Sequence, residues 1–116
     1  MAATPAGWPS DVPPPGSPEF AERVVGWLLD QSPSCLRTSS LRSRPRALAA
    51  AVDRIIEGEI EGLRRAYATT RTDVRGTVDE PATDDILTAL EAAGAALLHT
   101  RRQVQAVLLA LGGSAP

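Results

Sequence analysis

The residues best suited to chemistry lie in a short basic segment between two stretches of helical periodicity. It spans residues 36–46 and combines arginines with hydroxyl side chains, without a single acidic residue. Arginine binds phosphate and carboxylate groups through paired hydrogen bonds, and the segment leads into a predicted helix start, where the helix dipole favours an anion. The candidate anion-binding or partner-binding residues are its four arginines, Arg37, Arg42, Arg44 and Arg46.

Two other interpretations of this segment remain open. It can be a solvated loop whose arginines contact acidic helix surfaces. It can also be a regulatory segment, in which phosphorylation of a serine or threonine places new negative charge beside the arginines. The formal net charge of −2 argues against general nucleic-acid binding, which usually needs a strongly basic domain, so any anion contact should be local.

The sequence lacks the patterns of catalytic and metal-binding sites. His99 is the only histidine and Cys35 the only cysteine, so the chain cannot form a multi-histidine metal site or an internal disulfide. No base close to Cys35 in the sequence would activate its thiol. We therefore predict a non-enzymatic protein with no catalytic residues, metal, cofactor or small-molecule substrate.

Cysteine usage and hydropathy favour a cytoplasmic protein. One cysteine is typical of a reducing compartment, and the first residues lack the apolar run of a signal peptide. No stretch is long and apolar enough to predict a membrane span. We expect a cytoplasmic location and no membrane insertion.

The chain length fits one helical domain that follows an N-terminal tail. Residues 1–16 hold so many prolines and glycines that a disordered, extended tail is predicted. Residues 17–113 should form a single all-α domain, followed by a short tail at 114–116. Starting prolines, capping residues and helical apolar spacing predict three helices, at about 18–31, 45–75 and 84–111.

The two long helices are predicted to form an antiparallel hairpin. A turn between Gly76 and Pro81 joins them, and the third helix repeats apolar residues at coiled-coil-like spacing. The short first helix should pack on this hairpin, which gives a fold like a three-helix bundle. Gly58 and Gly62 in the second helix predict a close backbone contact, and the first helix is the candidate for it.

Two charged residues fall on the apolar faces of the long helices. Glu59 lies in the stripe of the second helix, and Arg101 interrupts the leucine seam of the third. Folding the hairpin about residues 79–80 brings the two nearly opposite each other. A partly buried ion pair in such a seam disfavours slipped registers, so we predict a structural Glu59–Arg101 pair.

The third helix carries more apolar side chains than one neighbouring helix can cover. Leu98, Val107 and Leu109 extend beyond its seam, so either the first helix or a second subunit should cover them. Trp8 is an incidental exposed ring, or an anchor for a partner or for the bundle itself. These four residues are the candidate interaction surface.

The broad apolar helix favours a protein–protein interaction or scaffolding module. The expected partner is a protein, and a second copy of the chain in a homodimer is the leading candidate. The alternative is a small regulatory factor that binds nucleic acid or another anionic partner through residues 37–46.

Overall fold

A computed structural model describes residues 4–112, which form three α-helices and no strand. Helix α1 spans Phe20–Asp30, α2 spans Pro45–Asp73 and α3 spans Glu80–Ala110. Two short 3₁₀ helices, Ser34–Thr38 and Ser40–Ser43, connect α1 to α2. The predicted all-α fold, with a long antiparallel hairpin and a short N-terminal helix, is confirmed. The predicted tail at 114–116 lies outside the described residues.

The hydrophobic core lies at one end of the hairpin, where α1 packs on α2. Helix α1 has 11 residues and α2 has 29, which correspond to lengths of about 16 and 43 Å, so α1 covers only part of the hairpin. The core consists of Val12, Val24, Leu28, Leu29, Leu48, Ala49, Val52, Ile56, Ile60, Val104, Val107 and Leu108.

The long hairpin makes the molecule elongated. Its principal extents are 56 × 31 × 22 Å, and its radius of gyration is 17.3 Å. A compact domain of this length has a radius of gyration of about 13 Å. The excess reflects the part of the hairpin that extends beyond α1.

Helix α3 starts one turn earlier than the sequence predicted. Its cap is Asp79, whose carboxylate accepts a hydrogen bond from the backbone N–H of Ala82 at 2.9 Å. Pro81 is accommodated in the first turn, where a helix does not need its missing N–H. Thr83, the predicted cap, lies inside the helix, and its hydroxyl donates to the carbonyl of Asp79 at 3.0 Å.

Residues 4–16 pack against the helices, so the predicted disordered tail is wrong for this part of the chain. Val12 and Pro9 are buried, and Val12 belongs to the core. The indole Nε1 of Trp8 donates to the carbonyl of Val12 at 3.0 Å, and the Trp8 ring lies 5.7 Å from that of Phe20. Prolines prevent regular helix and sheet hydrogen bonding, but they allow the successive turns that bring these apolar groups onto the bundle.

The glycines of α2 do not mark a helix contact. Gly58 and Gly62 are exposed, and a Cβ built on either would meet nothing within 4 Å. The predicted close approach of α1 at these positions is therefore wrong. Helix α1 packs instead on the start of α2, where Leu48 and Val52 are fully buried.

Candidate interaction groove

An apolar groove runs between α2 and α3 beyond the region that α1 covers. It has a volume of about 530 Å³ and includes no residue of α1. The core stops at Ile60, and only Thr70, Thr83 and Leu87 are buried in the rest of the described hairpin as far as residue 103. The groove is lined by Ile60, Leu63, Arg64 and Tyr67 of α2 and by Leu90, Glu91, Gly94, Ala95 and Leu98 of α3.

The two walls of the groove differ in side-chain size. Leu63 and Tyr67 project from α2, whereas α3 presents Gly94 and Ala95 between its leucines. A Cβ placed on Gly94 would meet nothing within 4 Å, so the surface above this glycine is open. The small residues of α3 leave room for larger side chains of a helix that packs against it.

A hydrogen bond across the groove shows which residues of α2 and α3 lie at the same level along the hairpin axis. The hydroxyl of Tyr67 donates to the carboxylate of Glu91 at 2.9 Å. Arg64, one turn before Tyr67, pairs along its own helix with Glu61. The groove therefore has one cationic and one anionic side chain at its edges, Arg64 on α2 and Glu91 on α3.

The Tyr67–Glu91 contact should be visible in an alkaline titration. The hydrogen bond to Glu91 and the charge of that carboxylate raise the pKa of Tyr67, while Arg71 opposes them. Tyr67 is the only tyrosine, so tyrosinate absorbance should report a midpoint above the ordinary tyrosine value. Because the folded state holds this proton more tightly, the stability that the contact contributes should be lost as the pH rises through the raised pKa.

Two substitutions make this titration specific for the register of the hairpin. Glu91→Gln removes the charge and should return the Tyr67 midpoint towards the ordinary value. Glu61→Gln removes a carboxylate that pairs with Arg64 instead, and should leave the midpoint unchanged. Equal midpoints in the wild-type chain and in Glu91→Gln would contradict the contact.

Arg101 is held by different carboxylates from the one predicted. Its Nε donates to Asp53 Oδ1 at 3.1 Å and its Nη2 to Glu57 Oε2 at 2.6 Å, while Glu59 is exposed. The predicted Glu59–Arg101 pair is therefore wrong, although an ion pair at Arg101 does join the long helices. The hydrogen bond to Asp53 raises the pKa of Arg101, against the opposing effect of burial.

The four residues predicted as an interaction surface are not brought together. Leu98 is 39% exposed and lines the groove. Leu109 is 55% exposed but lies outside the groove. Val107 is fully buried in the core, so its assignment to an interaction surface is wrong and the alternative, cover by the protein's own bundle, holds for it. Trp8 is half-buried against Phe20 and anchors the protein's own N-terminal segment.

Several groove residues were missed because the two long helices were expected to cover one another's apolar stripes. Leu63, Tyr67 and Leu90 belong to those stripes, yet two helices alone leave one side of the seam open. The helix lengths predicted from the sequence could have revealed that part of the seam stays open. A first helix of about 16 Å cannot cover a hairpin more than twice as long.

The basic segment forms a separate feature near the start of α2. Arg37 pairs with Asp30 at 2.8 Å, and Arg42 donates to the carbonyl of Arg37 at 3.1 Å. Arg44 and Arg46 are exposed and pair with no carboxylate in the described chain. The segment precedes the groove by about 15 residues of helix, or about 22 Å. Within the described residues, only Arg37 of the four arginines pairs with a carboxylate, so Arg42, Arg44 and Arg46 keep their charge available to an anion. The groove, in contrast, offers an apolar surface between two helices.

The other candidates for chemistry are solvent-exposed. His99 and Cys35 both lie on the surface. Within residues 4–112, no three potential ligands among histidine, cysteine, aspartate and glutamate lie close enough to hold a metal ion. No helix in the same range has the length and hydropathy of a membrane span.

Comparison with known proteins adds no external guide to the role of the groove. The chain matches no family model, no curated protein and no solved structure.

Proposed function

We propose that this chain is a non-enzymatic protein-interaction module that binds an apolar helical surface in the groove between α2 and α3. The observation that supports the proposal is the uncovered half of the hairpin. At one end, the α2–α3 seam is closed by α1 and by the N-terminal segment, and its apolar residues are buried. At the other end, the same seam continues as an open groove with apolar walls.

Covering the groove offers a substantial free-energy gain. Burying a leucine side chain fully contributes about 1.5–3 kcal/mol, and Leu63, Leu90 and Leu98 are each partly or largely exposed. Tyr67 is 42% exposed and offers an aromatic ring whose hydroxyl already has a partner. An amphipathic helix laid in such a groove is a common mode of protein recognition.

The module is proposed to act as a scaffold or adaptor in the cytoplasm. A scaffolding role needs a rigid docking surface, and the continuous α2 and α3 helices provide one. The cytoplasmic location rests on the single exposed thiol of Cys35, which suits a reducing compartment.

Two adjacent alanines of α3 allow a matched test of the groove. Both Ala95 and Ala96 are exposed, but Ala95 lines the groove and Ala96 does not. A photo-reactive benzophenone side chain placed at residue 95 of the full chain should give a covalent protein adduct in the source cells. The same group at residue 96 should give none.

The adduct also reports what occupies the groove. One adduct of defined mass at residue 95, with none at residue 96, supports the proposal, and its mass shows whether the partner is a second 12.2 kDa chain or another protein. An absence of adducts at residue 95, or equal labelling at both positions, would contradict an interaction through the groove.

A further inference from the structure

We propose that Ser40 is a phosphorylation site, where a protein kinase transfers the γ-phosphoryl group of ATP to the serine hydroxyl and the arginines Arg42 and Arg44 hold the new phosphate. This inference is independent of the groove, because it concerns the basic segment that connects α1 to α2. Its support comes from the hydroxyl of Ser40, the arginines that flank it and the shallow packing of the segment.

Ser40 has the one hydroxyl of the basic segment that makes no hydrogen bond within the described chain. The hydroxyls of Thr38, Ser39 and Ser43 each donate to a backbone carbonyl, at 3.3, 2.8 and 3.0 Å. Ser39 is also half-buried, and its oxygen accepts a hydrogen bond from the N–H of Leu41 at 3.2 Å. Ser40 is exposed, so its oxygen is accessible as a nucleophile.

Arginines flank Ser40 on both sides at short spacing. Arg37 precedes it by three residues and Arg42 follows it by two, and residues 36–46 contain no acidic residue. Protein kinases select their substrates partly by charge pattern, and a kinase with an acidic peptide cleft binds arginines near the acceptor and rejects acidic neighbours. Ser43 also lies among arginines, but its hydroxyl is engaged, which favours Ser40 as the acceptor.

The backbone around Ser40 is held by few buried contacts. Neither of the two 3₁₀ helices, Ser34–Thr38 and Ser40–Ser43, contains a buried residue, and Leu36 and Leu41 are only partly buried against the core. Hydrogen bonds in 3₁₀ helices have poorer geometry than those in α-helices. Local opening of the segment, which a kinase needs in order to bind it as an extended peptide, therefore costs little and leaves the core in place.

The new phosphate has guanidinium groups within reach. Arg42 and Arg44 follow Ser40 by two and four residues, a rise of about 4 and 8 Å in a 3₁₀ helix. Neither pairs with a carboxylate in the described chain. Phosphoserine carries a charge of about −1.5 to −2 at pH 7 and forms strong hydrogen bonds with arginine. Helix α2 begins at Arg44 without a side-chain cap, so the positive end of its dipole adds to these charges.

The transfer changes the charge of the basic segment. The Ser40 oxygen attacks the γ-phosphorus of ATP, the bond from that phosphorus to the β–γ bridging oxygen breaks, ADP leaves, and the hydroxyl proton passes to the base of the kinase. The four arginines give residues 36–46 a charge of +4, which falls to about +2 when the phosphate is added. Phosphorylation should therefore weaken the attraction of this segment for any other anion.

Phosphopeptide mass spectrometry of the full chain, purified from its source cells with phosphatase inhibitors, tests the acceptor. The wild-type chain should carry phosphate on Ser40, and Ser40→Ala should carry none in this segment. Ser43→Ala should keep the phosphate, because it leaves the acceptor in place. Arg37→Ala should lower the phosphorylated fraction at least about fivefold. A wild-type chain without phosphate on Ser40, or an Arg37→Ala chain phosphorylated as fully as the wild-type chain, would overturn the site.

Phosphoserine introduced at residue 40 during synthesis tests the arginine contacts without a kinase. In the otherwise wild-type chain it should raise the melting temperature by about 3 °C at low salt. In a chain with Arg42→Gln and Arg44→Gln it should give no increase, and about 1 M salt should remove the increase from the wild-type chain. If the phosphate shifts both chains equally, or shifts neither, the two arginines do not hold it.

Discussion

Replacing Arg101 with alanine should lower the free energy of unfolding by about 3 kcal/mol. Asp53 is only 2% exposed, and its carboxylate accepts a hydrogen bond from the guanidinium of Arg101. Without the arginine, a nearly buried negative charge keeps no cationic partner. The 22% exposure of the Arg101 side chain allows some water to reach the site, so we expect a loss near the lower end of those measured for broken buried pairs. Urea unfolding followed by circular dichroism measures this loss.

Two further variants identify the partners of Arg101. Glu59→Ala removes an exposed carboxylate that Arg101 does not contact, so stability should change by no more than about 0.5 kcal/mol. Asp53→Ala combined with Arg101→Ala should cost clearly less than the sum of the two single losses, because the second substitution removes an already unpaired group. Additive losses, or a large effect of Glu59→Ala, would contradict the observed pairing.

Trp8→Ala should destabilise the fold by about 2 kcal/mol, although Trp8 lies in a proline-rich segment outside the helices. The substitution removes the ring that packs on Phe20 and the Nε1 hydrogen bond to the Val12 carbonyl. Because the ring is only half-buried, the loss should be smaller than the 3–5 kcal/mol typical of a fully buried aromatic residue. Thermal and urea unfolding measure it.

Matched substitutions separate the ring from its hydrogen bond. Trp8→Phe keeps an aromatic ring and loses the indole N–H, so about 1 kcal/mol of destabilisation is expected. Leu109→Ala removes an exposed apolar side chain and should change stability by no more than about 0.5 kcal/mol. If Trp8→Ala matched Leu109→Ala, residues 4–16 would not be packed on the bundle.

The Arg101 and Trp8 predictions concern contacts that hold the helices and the N-terminal segment together next to the groove. The Arg101 pairs join α2 to α3 near the boundary between the core and the groove. The N-terminal segment and α1 complete the core on one side of that boundary. Losing either contact should loosen the packing of the helices next to the groove, although neither Arg101 nor Trp8 lines it.

The candidate site was predicted only in part from the sequence. Leu98 was expected to lie beyond the seam of an unusually apolar α3, where the first helix or a second subunit would cover it, and it lines the groove. Val107 was assigned to the same surface but is buried, because helical spacing alone cannot show which end of α3 the core covers. Gly94 lies in the wall of the groove, where the absence of a side chain leaves the surface open.

The ion pair shows how far a register can be predicted. A reversal near residues 79–80 was enough to place Arg101 opposite the acidic part of α2. Choosing between Glu59 and the pair Asp53 and Glu57 needed the positions of the helices to within less than one turn, or about 5 Å. Helical periodicity does not provide that accuracy, because the bending, twist and crossing angle of the two helices also decide which side chains meet.

The sequence by itself determined the helical class, the number of helices and the antiparallel pairing, because apolar spacing, starting prolines and the glycine after α2 act locally. Only the tertiary structure decided that residues 4–16 pack on the bundle, that Asp53 and Glu57 hold Arg101, and that α1 leaves half of the seam open. These features depend on contacts between residues far apart in the chain, where burial can outweigh local preference. The open groove on which the proposed function rests is one of these features.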